Sequence, residues 1–204
     1  MPKPRNKREE ILAIAERSVL TKGFEATSIE EIVAEAGITK GGFFYHFRDK
    51  NALARALLEQ SIENFSAGVA EIEARARELT DDPLQVVLLI LKLIAEGINA
   101  DRHRYHGSLI SAIVYQERLY DREIVERMRE VLLQFEARRL VYFKEIAEIY
   151  QMSDDVSLDQ VSAMFNTIFE GAIVHARATA RPEARAEQLM LYRSYLKLLF
   201  ARKK

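Results

Sequence analysis

Between Thr27 and Lys50 the chain reads TSIEEIVAEAGITKGGFFYHFRDK, and few folds accept these residues in this order. Ser28 and Glu31 have the spacing of a capping box, in which each side chain satisfies a free amide at a helix start. Ile29, Ile32, Val33 and Ala36 give that helix one apolar face. Gly37 supplies the positive φ of a tight turn, and Ile38 plugs the corner behind it. Thr39 is a good N-cap for a second, shorter helix. Phe43 and Phe47, four apart, share one face and belong to the core. Lys40, Phe44, Tyr45 and His46 point elsewhere, because one buried face cannot absorb so many aromatic and basic groups. Two helices around a tight turn, the second carrying such groups outward, is the layout of a helix-turn-helix. The second helix of that motif fits a DNA major groove.

The flanks extend this reading. From Lys7 to Lys22, residues Ile11, Leu12, Ile14, Ala15, Val19 and Leu20 fall at helical spacing. Gly23 ends that helix, and Phe24 packs back onto it. Asp49 caps a long amphipathic helix over Lys50–Leu79, which Thr80-Asp81-Asp82-Pro83 breaks. Leu84–Ile98 reads as a helix buried on most sides, Asp101–Gly107 as a polar connector, and Leu109–Leu119 as another apolar helix. Asp121 starts a long helix reaching Tyr150; Met152–Ser157 reads as a loop. Leu158–Thr179 and Glu183–Arg202 read as the last two helices, hinged at Arg181-Pro182. No strand candidate of any strength is visible. The expected fold is all-α, a three-helix head over 1–52 on a larger helical body over 53–204.

Composition narrows the function. The chain has 204 residues and no cysteine, which excludes disulfide scaffolds, thiolate metal sites and thiol catalysis. Its net charge of −1 gives no bulk attraction for nucleic acid, so distribution matters more. Residues 1–60 hold ten Lys/Arg against nine Asp/Glu; all four charges in residues 1–8, Lys3, Arg5, Lys7 and Arg8, are basic. That arm suits a phosphate backbone and equally suits a solvated terminus. No apolar run follows it, as a secretory signal requires. The most apolar run, Val86–Ile94, contains Lys92 and is too short to span a bilayer. A cytoplasmic protein without a membrane partner is expected.

Taken together, Gly23-Phe24, Ala26-Thr27-Ser28-Ile29, Ile32-Val33, Ala36-Gly37-Ile38, Lys40-Gly41, Tyr45-His46-Phe47 and Lys50-x-x-Leu53 resemble the tetracycline-repressor-like (TetR/AcrR) family of transcriptional regulators. The likeness covers residues 8–55 by motif; beyond them only length and helical pattern agree. It implies an all-α homodimer that binds a double-stranded DNA operator through one head per subunit. The body would hold a small-molecule effector, and its last two helices would form a dimeric four-helix bundle. By position, Thr39, Lys40, Gly41, Tyr45, His46 and Lys50 match residues that contact DNA or let the backbone approach it. Thr27 and Ser28 match positions near phosphate. Phe44 stands where a tyrosine is common, exchanging a hydroxyl contact for a thymine-methyl one, with core packing an equal alternative. Gly42 replaces a position often used for base reading.

The chemistry of these side chains agrees. Lys40 can reach guanine O6/N7 or a phosphate, and Tyr45 and His46 can donate to phosphate oxygens. Gly41 and Gly42 carry no side chain to hold the helix off a duplex.

In the body, Asn166 and Glu170 lie four apart beside Phe169, and could hold the polar end of a ligand or hydrogen-bond within a bundle. Tyr115, Phe135 and Tyr142 are candidate pocket walls. His103 and His106 form an H-x-x-H that suits ligand contact or a plain connector better than a metal. An apolar body fits a lipophilic effector. Small Ala172 and Ala176, with bulky Phe165, Ile168, Tyr192, Tyr195, Leu196 and Leu199, are the expected dimer interface. No cofactor is implied, and no nucleophile–base pair, metal cluster or phosphate loop suggests an enzyme. The other class to weigh is a helical ligand-binding or protein-interaction module without operator binding.

Overall fold

A computed structural model describes residues 6–100, 108–153 and 155–202. The described elements are α1 (Lys7–Lys22), α2 (Ile29–Ala36), α3 (Lys40–His46), α4 (Lys50–Leu79), α5 (Pro83–Ala100), α6 (Leu109–Tyr115), α7 (Arg122–Ile149), β1 (Tyr150–Met152), α8 (Leu158–Thr179), α9 (Ala184–Leu199) and β2 (Phe200–Arg202). A single 3₁₀ turn, Glu117–Leu119, separates α6 from α7. The fold is all-α but for one small two-stranded ribbon.

Two compact units emerge. The first comprises the described residues of Met1–Asn64 and His106–Glu130. Its core joins Ile11, Leu12 and Ala15 of α1, Ile32 of α2, Phe43 of α3 and Phe47 to Leu53, Leu57 and Leu58 of α4. Ile113 of α6 and Ile124 and Met128 of α7 complete it. The expected division at residue 52 therefore differs from the packing: the head takes the first turns of α4, all of α6 and the start of α7. Those turns belong there because Leu53, Ala54, Leu57 and Leu58 are nearly inaccessible and are part of the head's hydrophobic cluster. Ion pairs hold the same elements together, Arg55 to Asp121 at 2.8 Å and Arg127 to Glu59 at 2.7 Å.

The second unit comprises the described residues of Phe65–Tyr105 and Val131–Lys204. Leu84, Leu88 and Leu91 of α5, Phe143 and Ile146 of α7, Phe165 of α8 and Leu189, Tyr192 and Leu196 of α9 form its core. By length and apolar composition α5 could cross a membrane, but here Leu84, Val87, Leu88, Leu91 and Ala95 are body core. Asp82 starts α5 by accepting from the amides of Leu84 at 3.0 Å and Gln85 at 3.1 Å, with Pro83 in the first turn.

Two expectations need correction. The helix read over Leu109–Leu119 stops at Tyr115 and tightens into the 3₁₀ turn. The loop read from Met152 and the helix read to Arg202 meet in the ribbon, with Tyr150 opposite Arg202, Gln151 opposite Ala201 and Met152 opposite Phe200. Ser153 extends it, its amide donating to Leu199 at 2.7 Å. Three-residue strands carry no usable periodicity, and pairing across some fifty residues overrides local helix preference.

Candidate nucleic-acid interface and body cavity

Local chemistry fixes the head. Asn6 caps α1, accepting from the amide of Arg8, and Gly23 ends it at φ 91°. Ser28 and Glu31 form the complete capping box of α2. Gly37 adopts φ 62°, ψ 39°, the left-handed conformation the turn demands, and Thr39 caps α3 through the amide of Gly42 at 3.1 Å.

α3 divides cleanly. Phe43 is fully buried, and Phe47 just beyond the helix is nearly so. Thr39, Lys40, Gly41, Phe44 and Tyr45 are exposed, Tyr45 at 86% and Phe44 at 50%. Phe44 thus packs edge-on against Phe43 with ring centroids 5.5 Å apart while half its surface faces out. His46 is half-buried beside Tyr45.

A Cβ added at Gly41 would meet only Thr39 Oγ1 at 3.7 Å, and one at Gly42 would meet Ile38 and Thr39 at 3.6 Å. Both are ordinary contacts, so nothing inside the protein requires glycine at either place. Two glycines in a seven-residue helix still cost about 1 kcal/mol each relative to alanine.

Two residues of the expected interface are engaged within the head. Thr27 is buried, its hydroxyl donating to the Gly23 carbonyl at 2.8 Å and lying 3.0 Å from Ser18 Oγ; it ties the α1–α2 connection. Lys50 donates to the carbonyls of Phe24 and, at 3.3 Å, Glu25, and its ammonium lies 4.3 Å from the centre of the Phe24 ring. Burial lowers its pKa. Spacing could not show that its amine turns inward to a carbonyl cluster. Ser28 remains half-buried with its oxygen used as a cap.

The cations around α2 are paired. Lys40 meets Glu30 at 2.7 Å, and Lys22 and Arg17 meet Glu31 and Glu35. Lys40 and Lys22, through hydrogen bonds, hold Glu30 and Glu31 below the usual carboxylate range. Lys3 and Arg5 lie outside the described residues. Lys7 bonds Glu10 and the Ala36 carbonyl, and Arg8 stacks over Phe47, so this part of the basic arm is tied to the head.

The second unit encloses a cavity whose empty space, open mouth included, is about 710 Å³. Phe65 and Val69 of α4, Leu91 and Ile94 of α5, Phe135, Tyr142 and Phe143 of α7, Phe165 of α8 and Tyr192 of α9 wall it, with Arg138 and Arg139. Phe135 and Tyr142 therefore reach it as expected. Asn166 stands behind Arg139, accepting from it at 2.7 Å. Phe169 and Glu170 do not line it, and Tyr115 is 74% exposed in the other unit, at the end of α6. His103 and His106 lie outside the described residues.

Sequence reasoning missed Arg139. The signal was present: it falls on the stripe Met128, Phe135, Tyr142 and Ile146, where an arginine has no ordinary reason to be.

The dimer expectation also changes. Phe165, Ala172, Ala176, Tyr192, Leu196 and Leu199 are buried within one chain. Ile168 and Tyr195 are half-buried against the same core. α9 packs on α5 and α8 and consumes them. The apolar side chains facing outward are Met164 and Val174 of α8, and Leu191 and Leu198 of α9.

This is an all-helical protein with a helix-turn-helix head and a cavity-bearing helical body. The family of bacterial regulatory proteins, tetR family, matches residues 11–57, the segment that holds the helix-turn-helix. The transcriptional regulator AcrR of Shigella flexneri is 35% identical over 97 residues, 48% of this chain but only 44% of AcrR. The transcriptional repressor AcnR of Corynebacterium glutamicum is 24% identical over 192 residues, covering 93% of this chain and 92% of AcnR. A solved TetR-family regulator from Agrobacterium tumefaciens shares the fold, with a TM-score of 0.78 at 20% identity over 98% of this chain and 100% of that one.

Proposed function

We propose that the protein is a ligand-responsive transcriptional regulator, a repressor that a small molecule releases from its DNA operator. The observation that carries this is α3: its aromatic Phe43 is buried while Thr39, Lys40, Gly41, Phe44 and Tyr45 face outward around two glycines the fold does not need. Lys40 reads a base edge or a phosphate, Tyr45 and His46 fix register on phosphates, and Gly41 lets the backbone close. Ser28 and Thr39 lie at helix starts suited to phosphate. The protein acts in the cytoplasm, as a binding protein and not as an enzyme.

It works as a homodimer whose two heads enter successive major grooves, about 34–36 Å apart. The contact uses the outward side chains Met164, Val174, Leu191 and Leu198 and not the buried ones. α4 supplies Leu53 and Leu57 to the head core and Phe65 and Val69 to the cavity wall. An effector that favours one setting of this helix over another changes head spacing and hence operator affinity.

Gel shift against the DNA upstream of its own gene, and against a randomised pool, tests the reading. A shift that survives excess nonspecific duplex and weakens steeply with salt is expected. Absence of any selected sequence from the pool, with a folded protein, makes the chain a ligand-binding module instead.

A further inference from the structure

One charge in the wall of the body cavity has no ion-pair partner at salt-bridge distance among the described residues. Of its two arginines, Arg138 is committed: its Nη2 donates to Glu73 at 2.9 Å, and Glu73 also takes Arg77 at 3.3 Å. Arg139 is different. Its Nε donates to the Ser162 carbonyl at 3.4 Å, its Nη2 to Asn166 Oδ1 at 2.7 Å, and its plane lies 4.7 Å from the centre of the Phe165 ring. All three partners are neutral. Among the described residues no carboxylate oxygen lies within 4.0 Å of it. Glu136 lies beyond ion-pair distance, where it accepts from Asn166 Nδ2 at 2.8 Å and its charge offsets part of the cost of burying Arg139. Nη1 has no acceptor among the described residues and is not sealed off. Tyr192 of the wall is used, donating to the Val161 carbonyl at 2.7 Å.

A guanidinium cannot shed its proton near neutral pH, so Arg139 stays charged among rings and branched aliphatics. Burial lowers its pKa, the direction expected of a cation drawn away from water. In such surroundings an opposite charge is worth more than at a surface, and a planar carboxylate matches the free guanidinium edge. A neutral ligand leaves that charge unanswered; a cation is repelled.

We propose that the cavity selects an amphipathic organic anion, a carboxylate on an aromatic or alkyl body, with the carboxylate on the free Nη1 side of Arg139. This rests on the effector reading above and sharpens it.

Three matched probes test it by calorimetry on the full chain: phenylpropanoate, phenylpropanol and phenylpropylamine. Phenylpropanoate is expected to bind saturably and about tenfold tighter than the alcohol, with the amine weakest. In Arg139→Gln the acid loses about tenfold while the alcohol stays within about twofold. Arg139→Met, which keeps the apolar stem and removes the charge, should erase the preference as well. It keeps the test decisive if Arg139→Gln fails to fold.

The proposal is overturned if the acid shows no saturable binding, if the alcohol matches it, or if either folded variant keeps the wild-type preference. Operator release is scored separately. An acid preference without any effect on DNA leaves this site standing and removes effector control. Release by the alcohol alone keeps effector control and removes the anion.

Discussion

Head and body treat positive charge in opposite ways. Around α2, Lys40, Lys22 and Arg17 sit at the surface, each on a carboxylate of the same helix: Glu30, Glu31 and Glu35. In the body, Arg139 stands half-buried among rings, with only neutral acceptors. Exposed pairs are worth about 0–1 kcal/mol, so they exchange partners at little cost, and salt weakens them. A cation in hydrocarbon cannot be indifferent to what arrives. The same residue types thus suit a polyanion gripped at many weak points in one unit, and a single chosen anion in the other.

The largest effect that would break this picture concerns α3. Gly41→Leu meets no obstacle in the fold, since a Cβ there has only Thr39 Oγ1 at 3.7 Å, and it improves helix propensity by roughly 0.8–1 kcal/mol. Its side chain would stand between the helix backbone and a duplex. Operator affinity should fall about a hundredfold, with the melting temperature unchanged or raised. Wild-type affinity in that variant would mean that α3 does not approach DNA closely, and the contrast between the units would lose its first half.

Why the head was legible and the cavity was not follows from where the determining contacts lie. Ser28 with Glu31, Gly37, Thr39, and Phe43 with Phe47 act over two to four residues, so the head's turns and core could be read from adjacent letters. The same range hid Lys50, whose partners Phe24 and Glu25 stand about 25 residues back, and Thr27, whose side chain faces Ser18. The cavity needs five helical segments at once, from Phe65 to Tyr192. Periodicity told that Phe135, Tyr142, Phe165 and Tyr192 face inward, but not whether they meet a void, a neighbour or a second subunit. For that reason Phe165 and Tyr192 were expected at a dimer contact and are found in one chain's core and cavity wall.

A smaller effect separates fold from interface at Lys50. Lys50→Ala removes two carbonyl contacts and the ammonium over Phe24, worth together about 1–2 kcal/mol. Urea unfolding should register that loss. Operator affinity per folded molecule, and its dependence on salt, should not move, because the ammonium already has its partners inside the head. A lower salt slope in this variant would return Lys50 to the phosphate contacts and show that the inward bonds open on DNA.

The smallest effect probes the exchangeable pairs themselves. Glu30 competes with DNA for Lys40, and hydrogen bonding from Lys40 holds its pKa below the ordinary 4.5. A depressed carboxylate pKa means that the pair forms fully above that value and is lost only as the pH falls through the lowered one. It is therefore intact near neutrality. Glu30→Gln keeps the shape, removes the competing charge, and should raise DNA affinity about two- to fivefold at low salt. The gain should vanish at high salt and be absent when Lys40→Gln is added. A gain that survives Lys40→Gln would come from the charge of Glu30 repelling phosphate directly. The carboxylates of α2 would then act as a general brake on DNA binding, and not as stand-ins that keep Lys40 in place.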